Sequence, residues 1–306
     1  MILGTGLLWI VSIFEGLPPL RGLWHSVCIF MAAFDTGGFT PQSQSILYYH
    51  SFPFELVVIF LMFAGTLNFG LHYNLWFGNR KEILKNIETI SLFFTIMLVG
   101  FFVSLGLQQA GIYQGMMSLF RKGFFHVASA HSGTGFMTVY ARQFANQWKD
   151  LAFIAIIAAM GLGGCACSTA GGIKALRVGL IFRTFIFEVK KLLLPSSAFV
   201  VEKYHHLEEM TLKTSTLRNV LIVTFSYLMV YFLGSIAGVL MGYPFMFSLF
   251  ESVSSAANVG LSTGITSPSM PSFLKVVYIL QMWLGRLEFI SIFALFGLFI
   301  AVVRGK

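Results

Sequence analysis

His131-Ser132-Gly133-Thr134-Gly135-Phe136-Met137-Thr138 is a short Gly/Thr-rich stretch set between long apolar runs. Two relatives of it occur in the same chain, Asp35-Thr36-Gly37-Gly38-Phe39-Thr40 and Asn258-Val259-Gly260-Leu261-Ser262-Thr263-Gly264. Aligned on the glycine that precedes Phe39, Phe136 or Leu261, they mark three copies of one module. Such a recurrence outranks any reading of a single motif.

The solvent of that module follows from composition. Of 306 residues, 57% are hydrophobic and 10% charged, and the mean hydropathy is +0.80. That leaves too little polar surface to cover a water-soluble globule, so the chain belongs in a bilayer. The net charge of +8 does not point to nucleic acid. The basic residues gather in short loops between apolar runs, as the positive-inside rule requires, rather than along one face. Cys28, Cys165 and Cys167 lie in apolar or Gly-rich surroundings without disulfide or metal-site spacing. His25, His72, His126 and His131 are scattered, and His205-His206 sits in a polar segment where solvation is expected. A cleaved signal peptide is not expected, because the first residues lack a basic region and a cleavage site.

Working outward from the three loops, the same order of apolar runs repeats. Residues 1–77 hold Ile2–Phe14, Trp24–Phe34, the first loop and Pro53–Phe77. The first of these runs is short for a span, and the last is long enough to cross. A basic loop, 78–88, follows. Residues 89–182 hold Thr89–Leu107, a half-length run Met116–Ala130, the second loop and Leu151–Phe182. This last run is too long for one straight crossing. Its middle, Gly161-Leu162-Gly163-Gly164-Cys165-Ala166-Cys167-Ser168-Thr169-Ala170-Gly171-Gly172, predicts a break, since helix-interior glycines each cost about 1 kcal/mol relative to alanine. Non-helical backbone at membrane depth survives only against protein or a water-filled cavity, so the break is a candidate pore element. A polar cytoplasmic linker, 183–216, leads to residues 217–306, with Val220–Met241, Phe245–Ala257, the third loop and Phe273–Val303. Arg80/Lys81, Arg183/Lys190/Lys191 and Arg304/Lys306 follow the long second runs. They place those ends and the C-terminus in the cytoplasm and the glycine loops toward the outer half of the membrane.

The expected fold is therefore an all-α membrane protein of three helix–pore loop–helix units with re-entrant pore helices. Its loops suit cations. Backbone released from a helix can turn its carbonyls toward an axis and replace an ion's hydration shell, and the negative ends of the half-helices favour positive charge. Thr36, Thr134 and Thr263 offer hydroxyl support. Asp35 either draws cations to the mouth or simply forms the turn at a helix end. An enzyme is not expected. A nucleophile at Ser132 or Ser168 with His126 or His131 as base has no Ser–His pair that recurs across the units.

With these residues the chain resembles the TrkH/KtrB/HKT superfamily of potassium and sodium transporters, above all its bacterial Trk-type potassium-uptake subunits. The resemblance spans nearly the whole chain. It rests on Thr36-Gly37-Gly38-Phe39-Thr40, on Gly65 with Asn68-Phe69-Gly70-Leu71-His72, on Gly133-Thr134-Gly135-Phe136, on Gly163 to Lys174, and on Gly285-Arg286-Leu287-Glu288. In that family four repeats surround one pore. The resemblance implies ion binding at the backbone carbonyls of Thr36, Gly37, Gly38 and Phe39, of Gly133, Thr134, Gly135 and Phe136, and of Asn258, Val259, Gly260 and Leu261. Gly38, Gly135 and Gly260 correspond to the second, third and fourth filter glycines. It implies a gate at Gly163, Gly164, Ser168, Thr169, Gly171, Gly172 and Lys174, with Arg286 closing the path. The residues alone leave two alternatives open: Lys174 lines the gate or snorkels to the cytoplasmic surface, and Arg286 faces water or pairs with Glu288. The resemblance implies K⁺ as the transported ion and no other cofactor. Expected partners are a second copy of the chain, a cytoplasmic nucleotide-binding regulatory subunit and the lipid bilayer, with no nucleic acid, at the plasma (inner) membrane. The departure is that three repeats are present and the family's first is missing. The chain is then a fragment, or receives the fourth repeat from another chain, or does not conduct. Na⁺ or mixed K⁺/Na⁺ transport, by channel-like passage or symport, stays open.

Overall fold

Polar residues at the edges of the apolar runs decide where helices begin. The first unit contains α1 (Ile2–Phe14), α2 (Pro19–Phe34), α3 (Phe52–Thr66) and α4 (Phe69–Phe77). Pro19 opens α2, where its missing N–H leaves no amide orphaned. Ser51 caps α3 by accepting from Phe54 N, and Asn68 caps α4 by accepting from Gly70 N. The short α5 (Glu82–Lys85) precedes the second unit. There α6 (Ile87–Ala110) is capped by Asn86, α7 (Met116–Ser118) continues through a π-helical turn at Leu119–Phe124 into α8 (Phe125–Ser132), and α9 (Ala141–Gln147), α10 (Asp150–Leu162) and α11 (Ala175–Lys191) follow. An antiparallel hairpin, β1 (Lys203–His206) and β2 (Glu208–Thr211), sets Tyr204 opposite Met210. The third unit is α12 (Thr214–Leu240), α13 (Phe245–Ala256), α14 (Ser272–Arg286) and α15 (Phe289–Val303). This computed structural model describes every residue except Gln114, Leu194, residues 196–200, Glu288 and Lys306.

Among the described residues, α6 and α12 are long and apolar enough to cross a membrane. Phe94, Phe101, Phe225 and Ile279 are exposed on α6, α12 and α14, an outer surface suited to lipid. Two runs expected as single spans are instead sharply bent. α3 and α4 meet at 102°, and α14 and α15 at 101°. At the first bend the cause is Asn68. Its Oδ1 caps α4 and its Nδ2 donates to Glu88 Oε2 at 3.0 Å, and a side chain so committed favours a turn over a helix interior. Apolar length alone does not register that commitment.

Each unit brings a half-length helix, α2, α8 or α13, against its neighbouring spans. One apolar core joins the second and third units around Val103, Phe144, Ile156, Tyr227 and Phe250. Another joins the first unit to α8 through Ile29, Phe54, Met62, Phe125 and Phe136. Those two units are also pinned by a two-pronged ion pair. Arg121 Nε and Nη2 donate to Glu55 Oε2 and Oε1, both at 2.9 Å.

The described residues of the polar linker form regular structure at both ends. α11 runs on to Lys191, and the hairpin packs Tyr204 against Ile87, Leu180 and Val220. The expectation that His205-His206 is simply solvated is corrected. His205 Nε2 lies 2.9 Å from both oxygens of Glu82, and His206 Nε2 donates to the fully buried Glu88 at 3.1 Å. Glu82 and Glu88 lie more than a hundred positions away in sequence, beyond the reach of a local reading.

Candidate ion pathway

The three Gly/Thr loops start where α2, α8 and α13 end, and they share one backbone. The first aligned residue is left-handed in each: φ is 52° at Thr36, 74° at Gly133 and 55° at Asn258. The third is left-handed again, with φ of 70° at Gly38, 81° at Gly135 and 89° at Gly260. Between them, Gly37 N, Thr134 N and Val259 N donate back to Ala32 O, Ser129 O and Ser254 O at 2.8, 3.0 and 2.9 Å. The orphan carbonyls of the half-helix ends are thereby used to hold the loops.

Two loops carry an additional brace. Ser129 Oγ donates to Phe136 O at 2.7 Å and Ser254 Oγ to Leu261 O at 2.6 Å. The equivalent residue in the first unit is Ala32, which has no hydroxyl to offer. Phe136 is fully buried and Leu261 nearly so, whereas Phe39 is 81% exposed. Behind the third loop, Glu251 Oε1 accepts from Thr263 N, Ser262 Oγ and Thr263 Oγ1 at 2.7, 2.7 and 3.0 Å, and its Oε2 accepts from Thr266 Oγ1 at 2.6 Å. Thr263 is thus tied to Glu251, and Thr134 Oγ1 to Ser132 Oγ at 2.7 Å.

The loops stand edge to edge in chain order. A methyl group on Gly38 would overlap the carbonyl oxygen of Thr134, and one on Gly135 would overlap that of Val259. Only glycine allows these approaches. Among the described residues, a methyl group on Gly260 would meet nothing within 4 Å. The far edges of the third and first loops therefore leave a gap, a cavity of about 320 Å³ lined by Asp35, Gly37, Phe39, Val259, Gly260 and Arg286 among others. Asp35 forms the C-terminal turn of α2 and faces this gap.

The break between α10 and α11 reaches all three loops. Its ends are closed by Ile173 N donating to Gly161 O and Lys174 N to Leu162 O, both at 3.0 Å. Gly163 and Gly172 pack against each other at this neck, and Gly164 against Thr66. Beyond it, Thr36 Oγ1 donates to Thr169 Oγ1 at 3.1 Å, and the single Thr169 hydroxyl hydrogen is shared between Gly65 O at 3.0 Å and Phe34 O at 3.2 Å. Gly171 abuts Ala257 O, and Gly133 abuts Gly171 N. Ser168 Oγ turns inward to Cys165 O at 2.6 Å. Arg286 Nη1 donates to Thr169 O at 3.0 Å, so the break and Arg286 meet on one carbonyl. The alternative partner, Glu288, lies outside the described residues. Lys174 does not extend to the surface. It is 8% exposed and its Nζ donates to Ala170 O.

Sequence reasoning missed Ser129, Ser254, Glu251 and Glu88. The two serines were findable, since both lie at the same offset before the aligned glycine as Ala32. Glu251 and Glu88 carried the weaker signal of an acid within or beside an apolar run.

Three helix–loop–helix units whose loops stand edge to edge, with apolar surface turned outward, define a membrane protein of repeated architecture. The chain belongs to the TrkH family of cation transport proteins, which residues 14–300 match. That is a family of transporters rather than enzymes. The chain is 29% identical over 280 residues to an uncharacterized cation transporter of Methanocaldococcus jannaschii, covering 91% of this chain and 55% of that protein. It is 27% identical over 292 residues to the Trk system potassium uptake protein TrkH of Escherichia coli K12, covering 92% and 57%. The chain thus spans little more than half the length of these relatives. Its fold is similar to the crystal structure of the potassium transporter TrkH from Vibrio parahaemolyticus, with a TM-score of 0.79 and 22% identity over 95% of this chain and 61% of that one.

Proposed function

We propose that the chain forms three quarters of a K⁺ translocation path, in which carbonyls of the loops at Thr36–Phe39, Gly133–Phe136 and Asn258–Leu261 replace the ion's hydration shell. The observation that carries this reading is the shared backbone of the three loops together with their edge-to-edge stacking. The negative ends of α2, α8 and α13 favour a cation there, and the Escherichia coli relative is a potassium uptake protein. The break from Gly163 to Lys174 acts as the gate, with Thr169 and Arg286 at its contact with the loops. A positive guanidinium beside the path opposes a cation until it moves.

The gap between Gly260 and Asp35 favours a path completed by a further loop, in the same polypeptide or from another. The working protein resides in the plasma (inner) membrane with its C-terminus in the cytoplasm, forms a homodimer and answers to a cytoplasmic nucleotide-binding subunit. Rb⁺ uptake by cells lacking their own K⁺ uptake systems tests the reading. Uptake that depends on the chain and is lost in Gly135→Val supports it. Unchanged uptake in that variant would leave the chain as an assembly subunit, and Na⁺ uptake in place of Rb⁺ would reassign the ion.

A further inference from the structure

The gate candidate is fastened to the cytoplasmic hairpin by groups that the loops do not use. Glu88 is fully buried in the first turn of α6. Its Oε1 accepts from Ala166 N at 2.6 Å, inside the break, and its Oε2 accepts from Asn68 Nδ2 at 3.0 Å and from His206 Nε2 at 3.1 Å. One carboxylate therefore joins the hairpin, the bend between α3 and α4, and the break. A second route runs beside it. Leu207, the left-handed turn residue of the hairpin, packs on Gly70 at the start of α4. The neighbouring Phe69 N donates to Cys167 O at 3.2 Å. Both routes end on adjacent residues, Ala166 and Cys167.

Burial makes this connection directional. A buried carboxylate that loses one donor keeps the full need to be satisfied, so removing His206 shifts Glu88 and with it the amide of Ala166. The outer strand β2 is exposed along its length, so the hairpin is reachable from the cytoplasm, while Tyr204 on β1 seats it against Ile87, Leu180 and Val220. From these contacts we propose that the hairpin tip at His206-Leu207 is the cytoplasmic handle of the intramembrane break, with Glu88 as the positioning residue that transmits its place to Ala166 and Cys167. This extends the reading of the break as a gate and rests on that reading only for its effect on flux.

Cys167 supplies a readout independent of transport, because it is exposed while Cys165 is buried. Maleimide labelling of Cys167 is followed in membranes containing the full chain with Cys28→Ser, so that failure of the handle and failure of K⁺ transport are separable. His206→Ala and Glu88→Gln should each change the labelling rate by about threefold or more, and the double variant should change it no more than Glu88→Gln alone, since residues acting through one group are not additive. No change in His206→Ala, or an independent added effect in the double variant, would overturn the proposal. So would an equal change from Lys203→Ala, at the other end of β1, which would signify general loss of the hairpin. Labelling of Cys165 reports misfolding. If Glu88→Gln misfolds, Leu207→Ala takes its place: a changed Cys167 rate supports the handle and an unchanged one overturns it.

Discussion

The stretches Thr36-Gly37-Gly38-Phe39 and Gly133-Thr134-Gly135-Phe136 follow the same backbone path, yet Phe136 is fully buried and Phe39 is 81% exposed. The second stretch has a loop on each side, contacting the first at Thr134 and the third at Gly135. It also has the Ser129 brace. Among the described residues, the first has a neighbouring loop on one side, at Thr134, and Ala32 where the brace would be. Similar local sequence thus produces similar left-handed turns but unequal burial, because burial comes from what each loop touches. The well-held loop is the one in the middle of the row.

The largest effect that would sharpen this contrast is expected at Gly135. Gly135→Ala forces a methyl group into the Val259 carbonyl and adds about 1–2 kcal/mol of left-handed strain, so Rb⁺ uptake should fall more than tenfold. Gly260→Ala carries the same backbone strain but meets an open edge, and should retain more uptake than Gly135→Ala. If Gly260→Ala is as damaging as Gly135→Ala, that edge is covered in the assembled protein.

Phe136→Ala should destabilise the folded protein by about 3–5 kcal/mol, as truncation of a buried aromatic does, and lower the thermal unfolding midpoint in detergent. Phe39→Ala should change the same midpoint little. A loss at Phe39 comparable to that at Phe136 would mean that Phe39 is buried by a further unit.

Ser129→Ala removes the donor to a buried carbonyl and should cost about 1–3 kcal/mol. Ser254→Ala should act alike in the third loop. Ala32→Ser is the reverse experiment, and it should stiffen the first loop without lowering the midpoint. A decrease there would show that the first loop needs its freedom.

The smallest effect lies in the hairpin. His205 has a carboxylate at each ring nitrogen, and its hydrogen bond to Glu82, then that to Glu209, raises its pKa above the ordinary 6.5. A group whose folded pKa is raised contributes its full stability below the unfolded value and loses it as pH climbs through the folded one. Protection factors of the Tyr204 and Met210 amides should therefore fall modestly as pH rises above the ordinary 6.5, and His205→Phe should remove the dependence.

Much of the backbone of the candidate site was legible in advance. The glycine loops, the half-helices that lead into them and the glycine-rich break all follow from composition, spacing and the absence of helix-compatible residues at those points. The bend at Asn68 was not legible, since an asparagine inside an apolar run has several uses and its partner Glu88 lies in the next unit. Nor were the braces, because Ser129 and Ser254 look like ordinary half-helix residues until the carbonyls of Phe136 and Leu261 are placed over them.

By itself, the amino-acid sequence determined the solvent of this protein, the three-part repeat and the places where a helix cannot continue, because hydropathy and glycine act on the chain locally. Only the tertiary structure decided that Gly38 faces the Thr134 carbonyl, that Gly135 faces that of Val259 and that Gly260 faces a gap. It also decided that Thr169 takes Arg286 on its carbonyl oxygen and that Glu88 joins hairpin to break. Those contacts span tens to hundreds of residues, and their geometry depends on how whole helices pack rather than on any stretch of chain read alone.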